Sequence, residues 1–302
     1  MKDKTNIFLE NKSLLFSIAY NMLGNVDTAE DMVQETFLKW TKVSVQDVRH
    51  AKAYLVKIIT NNCINYINSS RVKRESYVGV WLPEPLSDYS MDKENKKVES
   101  YHTLSFGIMV LLEKLTAQER AIFILREVFA YDYSELADIF DKTEDNCRQI
   151  FKRAKQNLGK DTKRFAVDIK LHEKMLNDFM QACLEGKMDN LIVHLKEDVE
   201  LFADGGGKSI PINGQRLTAA LKPISGREDT GRFIMSVLRK LLDNVPDFSW
   251  DIIITNGMPS IISYMGMIPL SLNAFEYEGD KIKNIYVQTN PDKLKQFFRN
   301  MT

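Results

Sequence analysis

The chain has 302 residues, of which 44% are hydrophobic and 27% are charged, and its 41 basic side chains balance 41 acidic ones. This length exceeds what one hydrophobic core usually serves, so we expect two or three globular domains. A net charge of zero excludes a global field that attracts nucleic acid, so any such binding requires a local basic patch. The charged N-terminal segment and the lack of a long apolar run predict no signal peptide, no membrane segment and a cytoplasmic location.

The three cysteines, Cys63, Cys147 and Cys183, are far apart in the sequence. Each occupies an apolar position of a helical pattern, which predicts reduced, buried thiols. No Cys/His pair has the spacing of zinc ligands, so the sequence predicts neither a metal nor a cofactor.

The N-terminal segment is predicted to be entirely helical. One apolar stripe runs from Leu14 to Leu23 and ends at Gly24-Asn25, a favourable C-terminal stop. The next helix, Ala29 to Trp40 (AEDMVQETFLKW), has apolar residues spaced three and four apart, and Asp27 or Thr28 is expected to cap it. Its outward face shows Asp31, Gln34, Glu35 and Lys39.

A third helical stripe runs from Tyr54 to Ile67, and its exposed side is rich in asparagine. Asparagine is a poor helix former, so several on one helix suggest a function. A surface for single-stranded DNA would use such amides beside cations, whereas the alternative is a solvated helix end. The candidate residues are Asn61, Asn62 and Asn65, followed by Arg71, Lys73 and Arg74.

The segment Trp81 to Leu86 (WLPEPL) interrupts the helical pattern, because each proline removes a donor and restricts the residue before it. We expect residues 77–102 to form a linker. Exposing a tryptophan to water is costly, so Trp81-Leu82 is predicted to dock on a neighbouring surface.

A second helical region follows the linker. Thr116 and Glu119 form a predicted capping box, and Asp141-Lys142 makes a turn after the short helix Ser134 to Phe140. Thr143 then caps a longer helix, which makes a helix-turn-helix the favoured interpretation and a plain helical hairpin the alternative. Between residues 145 and 164, seven Lys/Arg face two Asp, a local balance of +5 (7 − 2). The polar face carries Asn146, Arg148, Gln149, Lys152 and Arg153.

The last part of the chain changes from helices to short strands. A strand at Val199 to Ala203 precedes the sequence DGGGK at residues 204–208, and a helix is expected at Phe233 to Leu242. Four further strands are predicted at Trp250–Thr255, Ile261–Met265, Leu270–Tyr277 and Lys281–Gln288, with turns at Asn256-Gly257 and Glu278-Gly279-Asp280. Helices followed by antiparallel strands indicate an α+β domain with a curved sheet.

These motifs together resemble a known family. Ala19 to Gly24 followed by AEDMVQETFLKW resembles region 2 of bacterial extracytoplasmic-function (ECF) sigma factors of the sigma-70 family, and Thr116 to Leu158 resembles region 4. The sequences WLPEP (81–85), DGGGK (204–208) and NPDKL (290–294) are similar to those of a subgroup with a fused SnoaL-like, NTF2-like domain.

The resemblance implies a multidomain fold with two all-α sigma domains and a C-terminal α+β NTF2-like cone domain. The expected boundaries are 1–76 for region 2, 77–102 for the linker, 103–165 for region 4 and 170–302 for the last domain. The implied function is promoter-specific initiation of transcription, without catalysis by this chain, regulated in cis by the last domain. The implied partners are RNA polymerase core enzyme and promoter DNA, with room for a small-molecule ligand in the last domain and with no membrane partner.

The resemblance also assigns residues to roles. It places the polymerase core against Asp31, Gln34 and Glu35. It places the −10 promoter element against Asn61, Asn62, Asn65, Arg71, Lys73 and Arg74, and the −35 element against Asn146, Arg148, Gln149, Lys152 and Arg153. Regulatory contacts are expected at Trp81, Pro83, Glu84, Asp204, Gly205, Gly206, Gly207, Lys208, Asn290, Pro291 and Asp292.

Two alternatives remain at this stage. One is a one-component helix-turn-helix regulator whose last domain senses a ligand; it leaves Ala29 to Trp40 without a role and predicts a dimer. The other is an NTF2-like enzyme fused to a DNA-binding module, which requires a pocket with a perturbed carboxylate or histidine.

Overall fold

The computed structural model of the chain describes residues 4–44, 48, 50–75, 77–86, 104–159, 169–212, 215–245 and 247–299. Side chains at 71–75, 209–212, 215–217, 296, 298 and 299 lie outside that description. Consequently the predicted DNA contacts of Arg71, Lys73 and Arg74 lie outside the described residues, as do Lys160, Lys163 and Arg164. Within the described residues no helix is long and apolar enough to cross a membrane.

Contacts divide the chain into two compact units. In the described residues, the first unit contains 4–75, 104 and 108–159, and the second contains 77–86, 105–107 and 169–299. The segment 77–86 therefore belongs with the C-terminal part of the chain, although it follows the N-terminal helices in sequence. We call these ten residues the connector.

The first unit begins with three packed helices, α1 (Lys4–Leu23), α2 (Val26–Thr41) and α3 (Ala51–Glu75). Trp40 is fully buried in their core, and its indole N–H donates to the carbonyl of Lys4 at 2.9 Å. Gly24 ends α1 with a positive φ of 66°, as the sequence predicted. The predicted cap of α2 was wrong: Asn25 is the N-cap, and its side chain accepts from the amide of Thr28 at 2.8 Å.

The next helix, α4 (Phe106–Leu112), begins with two residues of the second unit and continues in the first. The first unit then contains α5 (Ala117–Glu127), α6 (Tyr133–Phe140) and α7 (Glu144–Leu158). The capping box of Thr116 and Glu119 is confirmed. Asp141 ends α6 in the left-handed region (φ 51°), and the side chain of Thr143 caps α7 by accepting from the amide of Asn146. This tight turn makes α6 and α7 the predicted helix-turn-helix.

The second unit is built on a mixed sheet. Its helices are α8 (Ile169–Glu185), α9 (Met188–Ile192), α10 (Arg227–Asn244) and α11 (Pro291–Arg299). Its strands are β1 (Leu195–Asp204), β2 (Ser209–Ile212), β3 (Gln215–Thr218), β4 (Ile224–Ser225), β5 (Phe248–Thr255), β6 (Met258–Met265), β7 (Ile268–Glu278) and β8 (Lys281–Gln288). Six strands pair in the order β4-β1-β8-β7-β6-β5, and β2 pairs with β3 in a separate hairpin.

The sheet is antiparallel except for the pair β1 and β8, the second and third strands in this order, which is parallel. Register shifts in β6–β7 and β7–β8 bend it, which is how a sheet curves around helices. Leu201, Phe275 and Ile285 belong to the core that also includes α8 and α10 residues. The predicted α+β fold class is confirmed, whereas the hairpin β2–β3, the strand β4 and the helix α11 were not anticipated.

Candidate functional site

The outward face of α2 carries the three residues expected to meet a polymerase. Asp31 and Gln34 are exposed, and Glu35 is half-buried in an ion pair with Lys39 at 2.9 Å. Leu38, which the sequence interpretation left out, is 60% exposed on the same stripe, seven residues after Asp31. A single exposed leucine is common on protein surfaces, so Leu38 is a candidate contact only because it shares this stripe with the polar residues. The heptad spacing from Asp31 was the signal that could have identified it.

The asparagine-rich helix α3 presents two of its three candidate amides to solvent. Asn61 and Asn65 are exposed, but Asn62 is only 5% exposed. The Asn62 amide donates to Thr36 Oγ1 at 3.2 Å, and its oxygen accepts from Lys39 Nζ at 2.5 Å. The structure therefore makes Asn62 a buried link between α3 and α2 and removes its side chain from the candidate DNA surface.

The helix α7 exposes all five candidates of its polar face: Asn146, Arg148, Gln149, Lys152 and Arg153. Their electrostatic environments differ. The guanidinium of Arg148 pairs with Glu144 at 2.8 Å and with Asp145 at 2.7 Å. Within the described part of the chain, no carboxylate lies within ion-pair distance of Lys152 or Arg153. Their positive charge is therefore available to phosphates, whereas that of Arg148 is largely compensated.

The helix-turn-helix packs against the three N-terminal helices within the first unit. Arg120 of α5 is buried, and its Nη1 donates to the carbonyl of Met22 at 2.9 Å and to Glu113 at 2.7 Å. Lys57 of α3 pairs with Asp141 at 2.6 Å, at the turn between α6 and α7. These contacts hold the two candidate DNA-reading elements in one compact unit.

In the second unit, Asp204 at the end of β1 organises the connector. Its carboxylate is fully buried, accepting from the hydroxyl of Tyr77 at 2.5 Å and from the amide of Leu82 at 2.9 Å. Lys293 Nζ lies 2.7 Å from the same carboxylate and donates to the carbonyl of Leu82 at 2.5 Å. Burial, followed by the hydrogen bond to Asp204, raises the pKa of Tyr77. We call Tyr77, Leu82, Asp204 and Lys293 the clasp.

Aromatic rings and glycines complete the clasp. Lys293 Nζ lies 4.7 Å from the ring centroid of Trp81 and 5.3 Å from that of Tyr77, at cation–π distances. Gly206 has a φ of 57° and donates its amide to Asp204 at 2.9 Å. A Cβ at Gly206 would lie 2.3 Å from Asn290 Nδ2, so the backbone approach requires glycine.

The remaining regulatory candidates are arranged around these residues. Pro83 is buried, and its carbonyl accepts from Gln288 Nε2 at 3.4 Å; Glu84 is buried too. Asn290 donates to the hydroxyl of Tyr77 at 3.1 Å, and its oxygen accepts from the amide of Asp292 at 3.1 Å. Pro291 is the first residue of α11. Gly205 and Gly207 flank Gly206 in the turn, and Lys208 pairs with Asp292 rather than with the connector.

Two further contacts attach the chain between the N-terminal helices and the helix-turn-helix to the sheet. The amide of Leu86 donates to Asn256 Oδ1 at 3.0 Å, and the amide of Asn256 donates back to the carbonyl of Leu86 at 3.0 Å. Farther along, the Phe106 ring stacks on that of Tyr286 with centroids 6.5 Å apart. A Cβ at Gly107 would lie 2.7 Å from Glu276 Oε2, which shows how closely the backbone passes.

Sequence reasoning identified Trp81, Asp204 and the glycines, and it missed four partners: Tyr77, Asn256, Gln288 and Lys293. Lys293 lies inside the NPDKL sequence, so the motif was recognised although the role of this lysine was not.

The carboxylate of Asp204 fits a structural role, because its lone pairs already accept hydrogen bonds from donors of this chain. Within the described residues, no group of three His, Cys, Asp or Glu side chains could hold a metal ion.

Comparisons with known proteins agree with this architecture. The sigma-70 region 2 family model matches residues 7–72, and the sigma-70 region 4 model matches residues 106–158. The ECF RNA polymerase sigma factor SigJ of Mycobacterium tuberculosis (strain H37Rv) is 26% identical over 289 residues, covering 93% of this chain and 89% of SigJ. The probable ECF sigma factor SigI of the same species is 23% identical and covers 94% of this chain and 92% of SigI.

The crystal structure of M. tuberculosis SigJ has the same overall fold, with a TM-score of 0.73 at 24% identity, covering 96% of this chain and 98% of that structure. A region 2 bundle followed by a region 4 helix-turn-helix defines a sigma factor of the sigma-70 family. The full-length similarity to SigJ and SigI is more specific: the chain is an ECF sigma factor, and its C-terminal domain is a mixed α/β domain.

Proposed function

We propose that this ECF sigma factor binds RNA polymerase core enzyme through the exposed face of α2, formed by Asp31, Gln34, Glu35 and Leu38. Polar and acidic groups on a rigid helix can orient a basic partner, and an exposed leucine at their edge adds apolar area to the same contact. The exposure of all these side chains except half-buried Glu35 supports this proposal.

Promoter DNA is read, in this proposal, by two surfaces. Asn61 and Asn65 of α3 offer amide donors and acceptors to bases of the −10 element. Lys152 and Arg153 of α7 hold phosphates near the −35 element, while Asn146 and Gln149 are available to base edges. Arg148 shapes the start of α7 through its carboxylate partners and contributes less positive charge than the sequence suggested.

We further propose that the C-terminal domain regulates the sigma regions in cis through the connector. The observation that carries this proposal is the clasp, because Tyr77 and Leu82, in the chain immediately after region 2, form hydrogen bonds to a buried ion pair of the C-terminal domain. A domain that holds the chain between regions 2 and 4 can control how far those regions separate.

Run-off transcription with purified core enzyme and the gene's own upstream DNA tests these assignments. The full chain is compared with Lys152→Ala/Arg153→Ala and with Asn61→Ala/Asn65→Ala, and exposed Lys222→Ala is the charge control. We expect both double variants to lose transcript while the control does not. The lysine and arginine variant should also show a weaker salt dependence of DNA binding, by a slope of about 1 per lost phosphate contact.

Polymerase docking and regulation are tested separately. Leu38→Ala should weaken binding to core enzyme about tenfold in a DNA-free assay, as truncation of an interface anchor does. Asp204→Asn should change the run-off level relative to Asp292→Asn, whose side chain belongs to an exposed ion pair. A run-off level equal to wild type, in a variant whose connector amides demonstrably exchange faster, would refute regulation through the clasp.

A further inference from the structure

The C-terminal domain has a partly open cavity of about 130 Å³ between its sheet and the helices α8 and α10. Met180 of α8 and Val237 of α10 line one side, and Leu201 of β1 and Ile285 of β8 line the other. Engineered apolar cavities of about 150 Å³ stay dry and take up benzene. A partly open apolar cavity of this size exposes hydrophobic surface to water, and a ligand that covers this surface gains the free energy of burying it.

The walls of this cavity are almost entirely apolar and carry no ionised group. No Asp, Glu, His, Lys or Arg is among the residues that line it. Its one ionisable wall residue is Cys183, and burial raises the pKa of that thiol to about 12, so the thiol is neutral. A charged ligand would lose its hydration without an opposite charge to replace it, and proton-transfer chemistry would lack an acid or a base.

A small polar patch interrupts the apolar wall where β6 faces β7. The hydroxyls of Ser263 and Ser271, opposite each other in the register, lie 2.8 Å apart. The amide of Asn273 donates to Ser271 Oγ at 3.1 Å. One hydroxyl donates its proton to the other in this hydrogen bond. The second hydroxyl proton and the remaining lone pairs are therefore available to a polar group inside the cavity.

We propose that this cavity is a binding site for a neutral, lipophilic small molecule of about one ring with a single hydroxyl or carbonyl group. The apolar body fills the space between α8, α10 and the sheet. The polar group meets the Ser263–Ser271 pair, which is the one place in the wall where several polar side chains converge. Such a site has the usual composition of ligand pockets, apolar with a few placed polar groups. The inference is independent of the role proposed for the clasp.

Titration of the full-length protein with p-cresol, toluene and benzoate tests the proposal, because these ligands share a ring and differ in the polar group. Methyl resonances of Met180, Ile234 and Val237 report binding inside the cavity. We expect saturable shifts with p-cresol and toluene and none with benzoate. The absence of saturable shifts with both neutral compounds, or equal binding of benzoate, overturns the proposal.

Two variants locate the ligand. Ser263→Ala/Ser271→Ala removes both hydroxyls together, so neither is left without the other. The Asn273 amide, which loses Ser271 Oγ, keeps the carbonyl of Ile261 as an acceptor at 3.4 Å. This variant should bind p-cresol about fivefold more weakly while its affinity for toluene is unchanged, since a neutral hydrogen bond contributes about 1 kcal/mol. Ser249→Ala, at an exposed position of β5, is the matched control.

Val237→Phe should fill the cavity and abolish binding of both compounds, with circular dichroism as the check on folding. If that variant does not fold, the comparison of p-cresol with toluene in the serine variant still decides. Wild-type affinity for p-cresol in the serine variant contradicts the assignment of the polar patch.

Discussion

Replacing Asp204 by asparagine keeps the shape of the side chain and removes its charge. The change leaves Lys293, which is 9% exposed, without its carboxylate in a buried environment. Removing one partner of a buried ion pair costs about 3–5 kcal/mol, because the remaining charge is left uncompensated. We expect that cost to appear first as release of the connector, since two of the donors to Asp204, Tyr77 and the Leu82 amide, belong to it.

Hydrogen exchange measured by mass spectrometry on the full chain reads this release directly. The Leu82 amide donates to the Asp204 carboxylate, so its exchange should accelerate roughly 100- to 3,000-fold, at about 1.4 kcal/mol per factor of ten. Amides of the central strands report whether the domain itself has unfolded. Asp292→Asn breaks an exposed ion pair with Lys208 and should accelerate exchange by less than about tenfold.

A double-mutant cycle completes the test. Asp204→Asn/Lys293→Met removes both charges, and we expect it to recover much of the protection that Asp204→Asn loses, because no buried charge then lacks a partner. Leu82 exchange in Asp204→Asn within threefold of wild type would mean that the connector is held by its apolar contacts, and the reasoning from the ion pair would be wrong.

Three further outcomes can be checked. Gly206→Ala should release the connector as well, seen as faster Leu82 exchange, because the new Cβ would overlap Asn290; unchanged exchange would contradict the close approach. Arg120→Leu should lower the free energy of unfolding of the full chain by about 2 kcal/mol in urea, since it removes a buried charged donor. The Cys183 thiol, with its pKa raised to about 12, should react with iodoacetamide at pH 8 roughly 10³-fold more slowly in native than in denatured protein; similar rates would disprove its burial.

Turns and helix ends that are determined by neighbouring residues were predictable from the sequence. The turn between α6 and α7 follows from Asp141 and Thr143, which act within one helical turn of their own positions. The hairpin at Asn256-Gly257 follows from two residues that accept positive φ, here 51° and 72°. The cap of α2 was misassigned because Asn25, Asp27 and Thr28 are all good caps within four residues, so composition alone did not decide between them.

Features that depend on distant segments were not predictable. Asn62 is buried because α2 packs on α3 and places Thr36 and Lys39 beside it, and helical periodicity alone had put Asn62 on the exposed side. The clasp requires residues near positions 77, 204 and 293 to converge, and each of these segments by itself reads as an ordinary turn or helix. Motif resemblance indicated that they matter, and only the fold shows that they bind one another.

The attachment of the connector to the C-terminal domain limits how far regions 2 and 4 can move apart. Between Glu75 of region 2 and Leu104 of region 4 lie roughly 28 residues, which fully extended would span at most about 95 Å. Leu86 near the start of that stretch and Phe106 just beyond its end are both bound to the same C-terminal sheet. While both attachments hold, the residues between Leu86 and Phe106 have both ends fixed to the same sheet. These residues therefore cannot increase the distance by which regions 2 and 4 separate. Only release of both the clasp and the Leu86–Asn256 contact would free this length of chain to act as a flexible tether.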